Sequence, residues 1–297
     1  ISKKERRSIA KAITLLESSN VKDLSKQEQL LSLLMQKQTS PSLKIGISGI
    51  TGAGKSTIIE KLGMHYISEG KSIAVLAVDP SSPISGGSIL GDKTRMEKLS
   101  NHEKAFVRPS PNKANHGGLS ISTRESILVL ENAGFDIIFI ETVGVGQSEY
   151  IAHSLVDLFL VLLLPSTGDE LQGAKKGINE LADLVIINKS DQDLENQAEL
   201  TRLSYVETLG EEKVINHSNM DIRKLESTTE KIDCLIENKK DYIEKKRVKQ
   251  NAEWLKQAIE KRCNQKIKSF FESNTIKKEQ PDNIYQTADK IFKEIFK

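Results

Sequence analysis

Only two cysteines, Cys234 and Cys263, occur in this chain of 297 residues, far apart and without a CxxC partner. Their scarcity speaks against a disulfide framework or a structural zinc site and fits a reducing compartment. Histidine is equally sparse. His65, His102, His116, His153 and His217 are scattered, none at metal-ligand spacing from another His or Cys. No apolar run reaches the ~18 residues that a membrane span needs. The longest, residues 158–164, has the length of a strand. No secretory signal is visible in the sequence. The sequence opens on Ile1, which leaves a trimmed targeting segment open. The expectation is a cytoplasmic location, with the mitochondrial matrix as the alternative if such a segment was lost. Excess charge of one sign is also missing: 43 Lys and Arg face 41 Asp and Glu. Neither nucleic acid nor a membrane is therefore expected as a partner. The basic clusters Lys239-Lys240 and Lys245-Lys246-Arg247 alternate with Glu237, Asp241 and Glu244 and read as a solvated helix face. No internal repeat or low-complexity tract is visible.

What is there follows a simple order. Residues 1–42 read as a helical segment: Ile9, Ala12, Ile13, Leu16, then Leu30, Leu31 and Leu34 recur at helical steps, and Pro41 closes it. From residue 43 to 219 short β-rich runs alternate with helices. The runs are 43–48, 72–79, 105–107, 135–142, 158–165, 184–188 and 213–217. Several are apolar on both faces, as strands between two helical layers must be. This grammar predicts an α/β fold with a mostly parallel central sheet. Residues 220–297 lose the strand signal. Val248, Ala252, Leu255, Ile259, Ile267 and Phe270 stripe a long polar helix, and a short helix follows Pro281. So thin an apolar stripe needs another surface, on the main domain or on a second copy of the chain.

Chemistry concentrates at the ends of the expected strands. Gly49-Ile50-Thr51-Gly52-Ala53-Gly54-Lys55-Ser56 fits G-x-x-x-x-G-K-[ST] between a buried strand and a helix read over 57–68, opening at Thr57. In that context glycines allow close approach, and amides at a helix N-terminus bind phosphate. Lys55 would reach the β- and γ-phosphates, and the Ser56 hydroxyl would ligate Mg²⁺. Asn188-Lys189-Ser190-Asp191 follows the apolar run 184–187. A carboxylate at Asp191 can accept both N1–H and N2–H₂ of guanine, a donor pair that adenine lacks. A plain polar turn with a helix cap at Asp191 is the bland alternative. Glu141 comes near the end of the run 135–142 in the Walker-B position, with Glu in place of the usual Asp, and Gly144 follows three residues on, where its N–H can meet the γ-phosphate. Asp79 and Asp92 are further metal-site candidates flanking a glycine-rich stretch. Each also suits a simpler role, Asp79 as a turn residue and Asp92 as a helix N-cap. Val145 stands where some GTPases place a water-orienting Gln, so slow intrinsic hydrolysis is expected.

These residues together resemble the MeaB/ArgK family of P-loop GTPases. The matching strings are VDPSSPISGGSILGDKTRM (78–96), ETVGVGQSE (141–149), GDELQGAKKGI (168–178) and NKSD. The resemblance covers about residues 9–218 and the tail only loosely. It implies a P-loop NTPase fold that binds GTP or GDP and Mg²⁺, with Ser56, Asp79, Asp92 and Glu141 at the metal and Lys55, Asp92, Glu141 and Gly144 in hydrolysis. Asp92 resembles part of a first switch loop, 143–147 a second and 168–176 a third. It further implies a homodimer with a helical C-terminal arm and, as partner, an adenosylcobalamin-dependent methylmalonyl-CoA mutase whose cofactor loading and protection GTP hydrolysis gates. Ser218-Asn219 replaces a usual Ser-Ala under the guanine ring, Ile50-Thr51 a more proline-rich pair, and 112–116 a Ser-Arg-Gly stretch. A metal-delivery GTPase, an interaction module with negligible turnover and a small-molecule kinase remain competing readings.

Overall fold

The computed structural model describes residues 5–18, 20–37, 40–79, 96–111, 116–142, 147–165, 176–273 and 284–296. Asp92 and Gly144 lie outside them, as do 143–146 and 168–175 of the expected switch loops.

Two helices lead in. In α1 (Arg6–Glu17) the buried residues are Ile9, Ala12, Ile13 and Leu16, the stripe read from the sequence. A short 3₁₀ turn separates it from α2 (Leu24–Gln36). The side-chain amide of Gln27 donates to the carbonyls of Leu15 (2.8 Å) and Ser18 (2.7 Å) at the end of α1, tying α2 to α1.

Seven parallel strands follow: β1 (Leu43–Gly49), β2 (Ile73–Asp79), β3 (Ala105–Pro111), β4 (Ile137–Thr142), β5 (Leu158–Leu163), β6 (Leu184–Ile187) and β7 (Val214–Asn216). Their order is β3-β2-β4-β1-β5-β6-β7. Among the described residues the α-helices between them are α3 (Lys55–Ser68), α4 (Glu97–Asn101), α5 (His116–Ala133), α6 (Gln147–Leu155), α7 (Lys176–Glu180) and α8 (Glu195–Leu209). Alternate side chains on each strand point to opposite cores. Ile138 and Ile140 join α1 and α5 on one face, while Ile137 and Phe139 join Ile58, Ile59 and Leu62 of α3 on the other. The middles of these strands are therefore apolar on both faces, and polar residues such as Ser48 and Glu141 come at their ends.

Three aspartates finish the sheet's N-terminal edge by one device. Asp136, Asp157 and Asp183 each stand immediately before a strand and accept a backbone N–H at the start of the neighbouring one. The donors are Ser72 (2.8 Å), Lys44 (2.8 Å) and Phe159 (2.9 Å). Two of the lysines expected on a solvated face come here instead. Lys239 pairs with Asp183 at 2.5 Å, and the Lys246 ammonium donates to the Asp157 carbonyl at 3.3 Å. Burial pushes the Lys246 pKa below the usual lysine range. The mixed charge pattern mimics a solvent face because the sheet edge supplies the missing partners.

α9 (Ile222–Asn238) is capped by Asp221, whose carboxylate accepts the Arg223 N–H at 2.9 Å. It buries Ile232 in the α3-side core, and Asp233 accepts a 2.9 Å bond from the Tyr66 hydroxyl. One compact unit runs from Ile1 to Lys246, so residues 222–246 pack within it. The second, Arg247–Lys297, holds most of α10 (Lys240–Ser273) and α11 (Ile284–Ile295). On α10 Val248, Leu255 and Ile259 are 69%, 63% and 54% exposed. In the same unit the Lys266 ammonium lies 5.3 Å from the Phe296 ring centroid.

Candidate functional site

The C-terminal ends of β1, β4, β5, β6 and β7 meet at one edge, where open parallel sheets present their ligand crevice. At Gly49, the last residue of β1, φ is 149°, and a Cβ would meet the Leu162 carbonyl oxygen at 2.5 Å. At Gly54 φ is 93°, and a Cβ would run into the Asn188 amide. Only glycine fits either place. Between them the loop turns through an Ala53 N–H to Ile50 carbonyl bond of 3.1 Å and delivers the chain into α3 at Lys55. The helix has glycine as its N-cap, so no side chain covers its first amides. A hollow edged by such amides is a cradle for phosphate.

Lys55 and Ser56 are both buried. The Lys55 ammonium donates to the carbonyls of Gly49 (2.9 Å) and Ile50 (3.1 Å), so its charge sits inside the loop's curve. The Ser56 hydroxyl donates to Glu141 Oε1 at 2.9 Å, across 85 residues of chain. That hydroxyl and carboxylate form an all-oxygen pair beside the cradle, the donor chemistry that Mg²⁺ takes. Asp79 ends β2, separated from β1 by β4, and its side chain lies outside the described residues. Among the described residues no group of three or more His, Cys, Asp or Glu forms a metal cluster.

The second motif is stitched to the first. Asn188 is fully buried, and its amide nitrogen donates to the Ala53 carbonyl at 2.6 Å. Its Oδ1 has no protein partner, leaving a buried acceptor at the junction of the two loops. Lys189 is exposed and adopts φ 60°, the one non-glycine positive φ among the described residues. Such a conformation costs roughly 1 kcal/mol and concentrates at ligand sites. Ser190 holds the loop shut: its N–H donates to the His217 carbonyl at 3.0 Å, and its hydroxyl lies 2.7 Å from the same oxygen. Lys224 on α9 donates to the Ser190 carbonyl. Asp191 follows, half-buried. On the neighbouring loop Ser218 is buried, and its hydroxyl accepts the Met220 N–H at 3.0 Å.

Two buttresses escaped sequence reasoning. His217 is fully buried, with Nδ1 2.8 Å from the Thr228 hydroxyl and Nε2 3.3 Å from Asn219 Oδ1. Burial lowers its pKa from 6.5. The Thr228 hydroxyl also donates to the Lys224 carbonyl at 2.7 Å. The second is Glu149, which accepts a 2.7 Å bond from the Ser48 hydroxyl. A lone His, and a Glu in the first turn of a helix, carry no spacing signal for these roles.

Sequence and structure comparisons agree with this geometry. The family model for the methylmalonyl-CoA mutase-associated GTPase MeaB matches residues 9–280. A probable GTPase of Mycobacterium tuberculosis is 52% identical over 196 residues, 66% of this chain and 58% of that protein. The GTPase ArgK of Escherichia coli is 47% identical over 205 residues, 69% of this chain and 62% of its own length. The mouse methylmalonic aciduria type A homolog, mitochondrial, is 47% identical over 216 residues, 70% and 52% of the two chains. The chain thus spans between about half and three-fifths of these relatives' lengths. A crystal structure of an LAO/AO transport system kinase superposes with a TM-score of 0.72 at 30% identity, covering 99% of this chain and 94% of that one. With a matched region that includes both nucleotide motifs and most of the helical tail, the chain belongs to the MeaB family of methylmalonyl-CoA mutase-associated GTPases.

Proposed function

We propose that this chain binds guanine nucleotides, hydrolyses GTP with Mg²⁺, and couples that cycle to an adenosylcobalamin-dependent mutase of the methylmalonyl-CoA type. The observation that carries the nucleotide part is the 2.6 Å bond from Asn188 to Ala53, which fixes a guanine-reading loop against a phosphate-binding loop. Family membership supports the partner.

The backbone amides of Gly49, Thr51, Gly52, Ala53, Gly54 and Thr57 surround the phosphates, and Lys55 turns its ammonium to the β- and γ-oxygens. Ser56 and Glu141 hold Mg²⁺, with Asp79 and Asp92 as further carboxylates. An ion held there would supply neutralisation of charge on the phosphate oxygens. The N–H of Gly144 meets the γ-phosphate. Asp191 accepts from the guanine edge, the Lys189 stem lies along the ring, and Asn188, Ser218 and Asn219 frame it. The exposed stripe on α10 packs against a second copy in a homodimer. Asp79, Asp92 and Gly144 enter from their motifs.

The test is single-turnover GTP hydrolysis, with and without Mg²⁺ and with and without a methylmalonyl-CoA-type mutase from the same source. Mg²⁺-dependent turnover that the mutase accelerates is the expected result. A partner that orders groups around the γ-phosphate needs to remove only ~1.4 kcal/mol of barrier for a tenfold gain. No complex and no change in either protein's activity would remove the mutase from this function and leave the GTPase.

A further inference from the structure

The phosphate loop is tied at both ends by a serine–glutamate hydrogen bond. Ser56, directly after Lys55, donates to Glu141 at 2.9 Å. Ser48, directly before Gly49, donates to Glu149 at 2.7 Å. The ties lie on opposite faces of the sheet. α3, which carries Ser56, packs through Ile58 and Ile59 into one core with Ile45 and Ile47 of β1. Ser48, one residue on from Ile47, faces the other core, where α6 packs through Ala152 and Leu155. Glu149 sits in the first turn of α6, where the helix dipole favours a carboxylate, and is 1% exposed.

We propose that Glu149 is a positioning residue for GTP hydrolysis, holding the front end of the phosphate loop through Ser48. This rests on the nucleotide chemistry proposed above. In that chemistry the two ties behave differently. The Ser56–Glu141 pair exchanges its mutual bond for the metal. The Ser48–Glu149 pair is enclosed between β1 and α6, touches neither nucleotide nor metal, and persists through the cycle. It fixes where Gly49 begins its turn and where α6 starts after β4. Small displacements of phosphate-binding groups cost rate more than affinity, because the transition state is the more demanding of geometry.

The variants are Ser48→Ala, Glu149→Ala and Glu149→Gln, whose amide oxygen can still accept from Ser48. GDP affinity, Mg²⁺-dependent single-turnover hydrolysis and amide exchange across 147–155 are measured on each in the full chain. Both alanine variants are expected to hydrolyse GTP about tenfold more slowly with GDP affinity within about twofold. Glu149→Gln is expected to recover most of the rate, and the double alanine variant to be no slower than either single one. Exchange should quicken at the start of α6 and not in α3. Parental rates in both alanine variants would overturn the proposal. So would a rate loss that tracks a loss of GDP affinity, or a Glu149→Gln as slow as Glu149→Ala. If Glu149→Ala does not fold, Ser48→Ala decides. If the parent binds GDP but never turns over, the hydrolysis reading fails by itself, and unchanged exchange in Ser48→Ala overturns the tie as well.

Discussion

Ser56 and Glu141 are joined by a 2.9 Å bond although 85 residues separate them. Removing one of these oxygens takes a ligand from the proposed Mg²⁺ site but leaves the loop amides and Lys55. Ser56→Ala and Glu141→Gln are therefore expected to slow GTP hydrolysis by about 100-fold, roughly 3 kcal/mol of barrier. GDP affinity in EDTA should stay within a few-fold. Single-turnover kinetics beside equilibrium titration checks this, and a parallel fall in both would deny the metal role. His217 allows a test of a different kind. Burial depresses its folded pKa below 6.5, so the neutral ring is the native form. The stability it contributes is present above the unfolded pKa and is lost as pH falls through the folded one. Below pH 6.5, protonation of the unfolded chain should cost up to ~1.4 kcal/mol per pH unit. His217→Asn should flatten that part of a urea-stability profile between pH 7 and 5. An unchanged slope would place the acid sensitivity elsewhere. The turn that only Gly49 and Gly54 allow and the helix that follows it were legible in the sequence because they rest on local backbone geometry and fixed spacing. His217 and Glu149 were not, since their partners depend on which helix covers which strand.

Among the elements, the strands announced themselves because both faces are buried. The sequence reading stopped β3 at residue 107, whereas the strand runs on to Pro111 beside β2. It began α3 at Thr57, two residues after its actual start at Lys55. Both errors have one cause: glycine, proline and serine at strand and helix ends look like loop until a neighbour supplies their bonds. The sequence reading gave no role to the aspartates before β4, β5 and β6, because their partners lie on neighbouring strands. Asp157 is fully buried, accepts the Lys44 N–H at 2.8 Å, and lies 3.6 Å from the buried Lys44 ammonium. Asp157→Ala would leave both donors short of an acceptor and should destabilise the chain by ~3–5 kcal/mol, as broken buried pairs do. Urea unfolding measures this. A loss below ~1 kcal/mol would mean that Glu131, 3.1 Å from the same ammonium, carries the charge alone.

For the whole molecule, the helical tail was legible as an amphipathic stripe, but its destination was not, because a stripe does not name the surface it covers. Val248, Leu255 and Ile259 remain exposed on α10. If a second copy covers them, Leu255→Glu should convert a dimer to a monomer in sedimentation while GDP binding is kept. A parent that is monomeric at micromolar concentration would refute the dimer. Guanine recognition by this P-loop protein of the MeaB family is measured by nucleotide affinity. GDP, ADP and XDP are titrated against the parent and against Asp191→Asn. The parent is expected to prefer GDP over ADP by on the order of 10³-fold or more, since adenine leaves the carboxylate unpaired. Asp191→Asn should lose GDP and gain XDP, whose O2 accepts from the new amide. Equal affinity of the parent for ADP and GDP, or an Asp191→Asn variant that still prefers GDP, would contradict it.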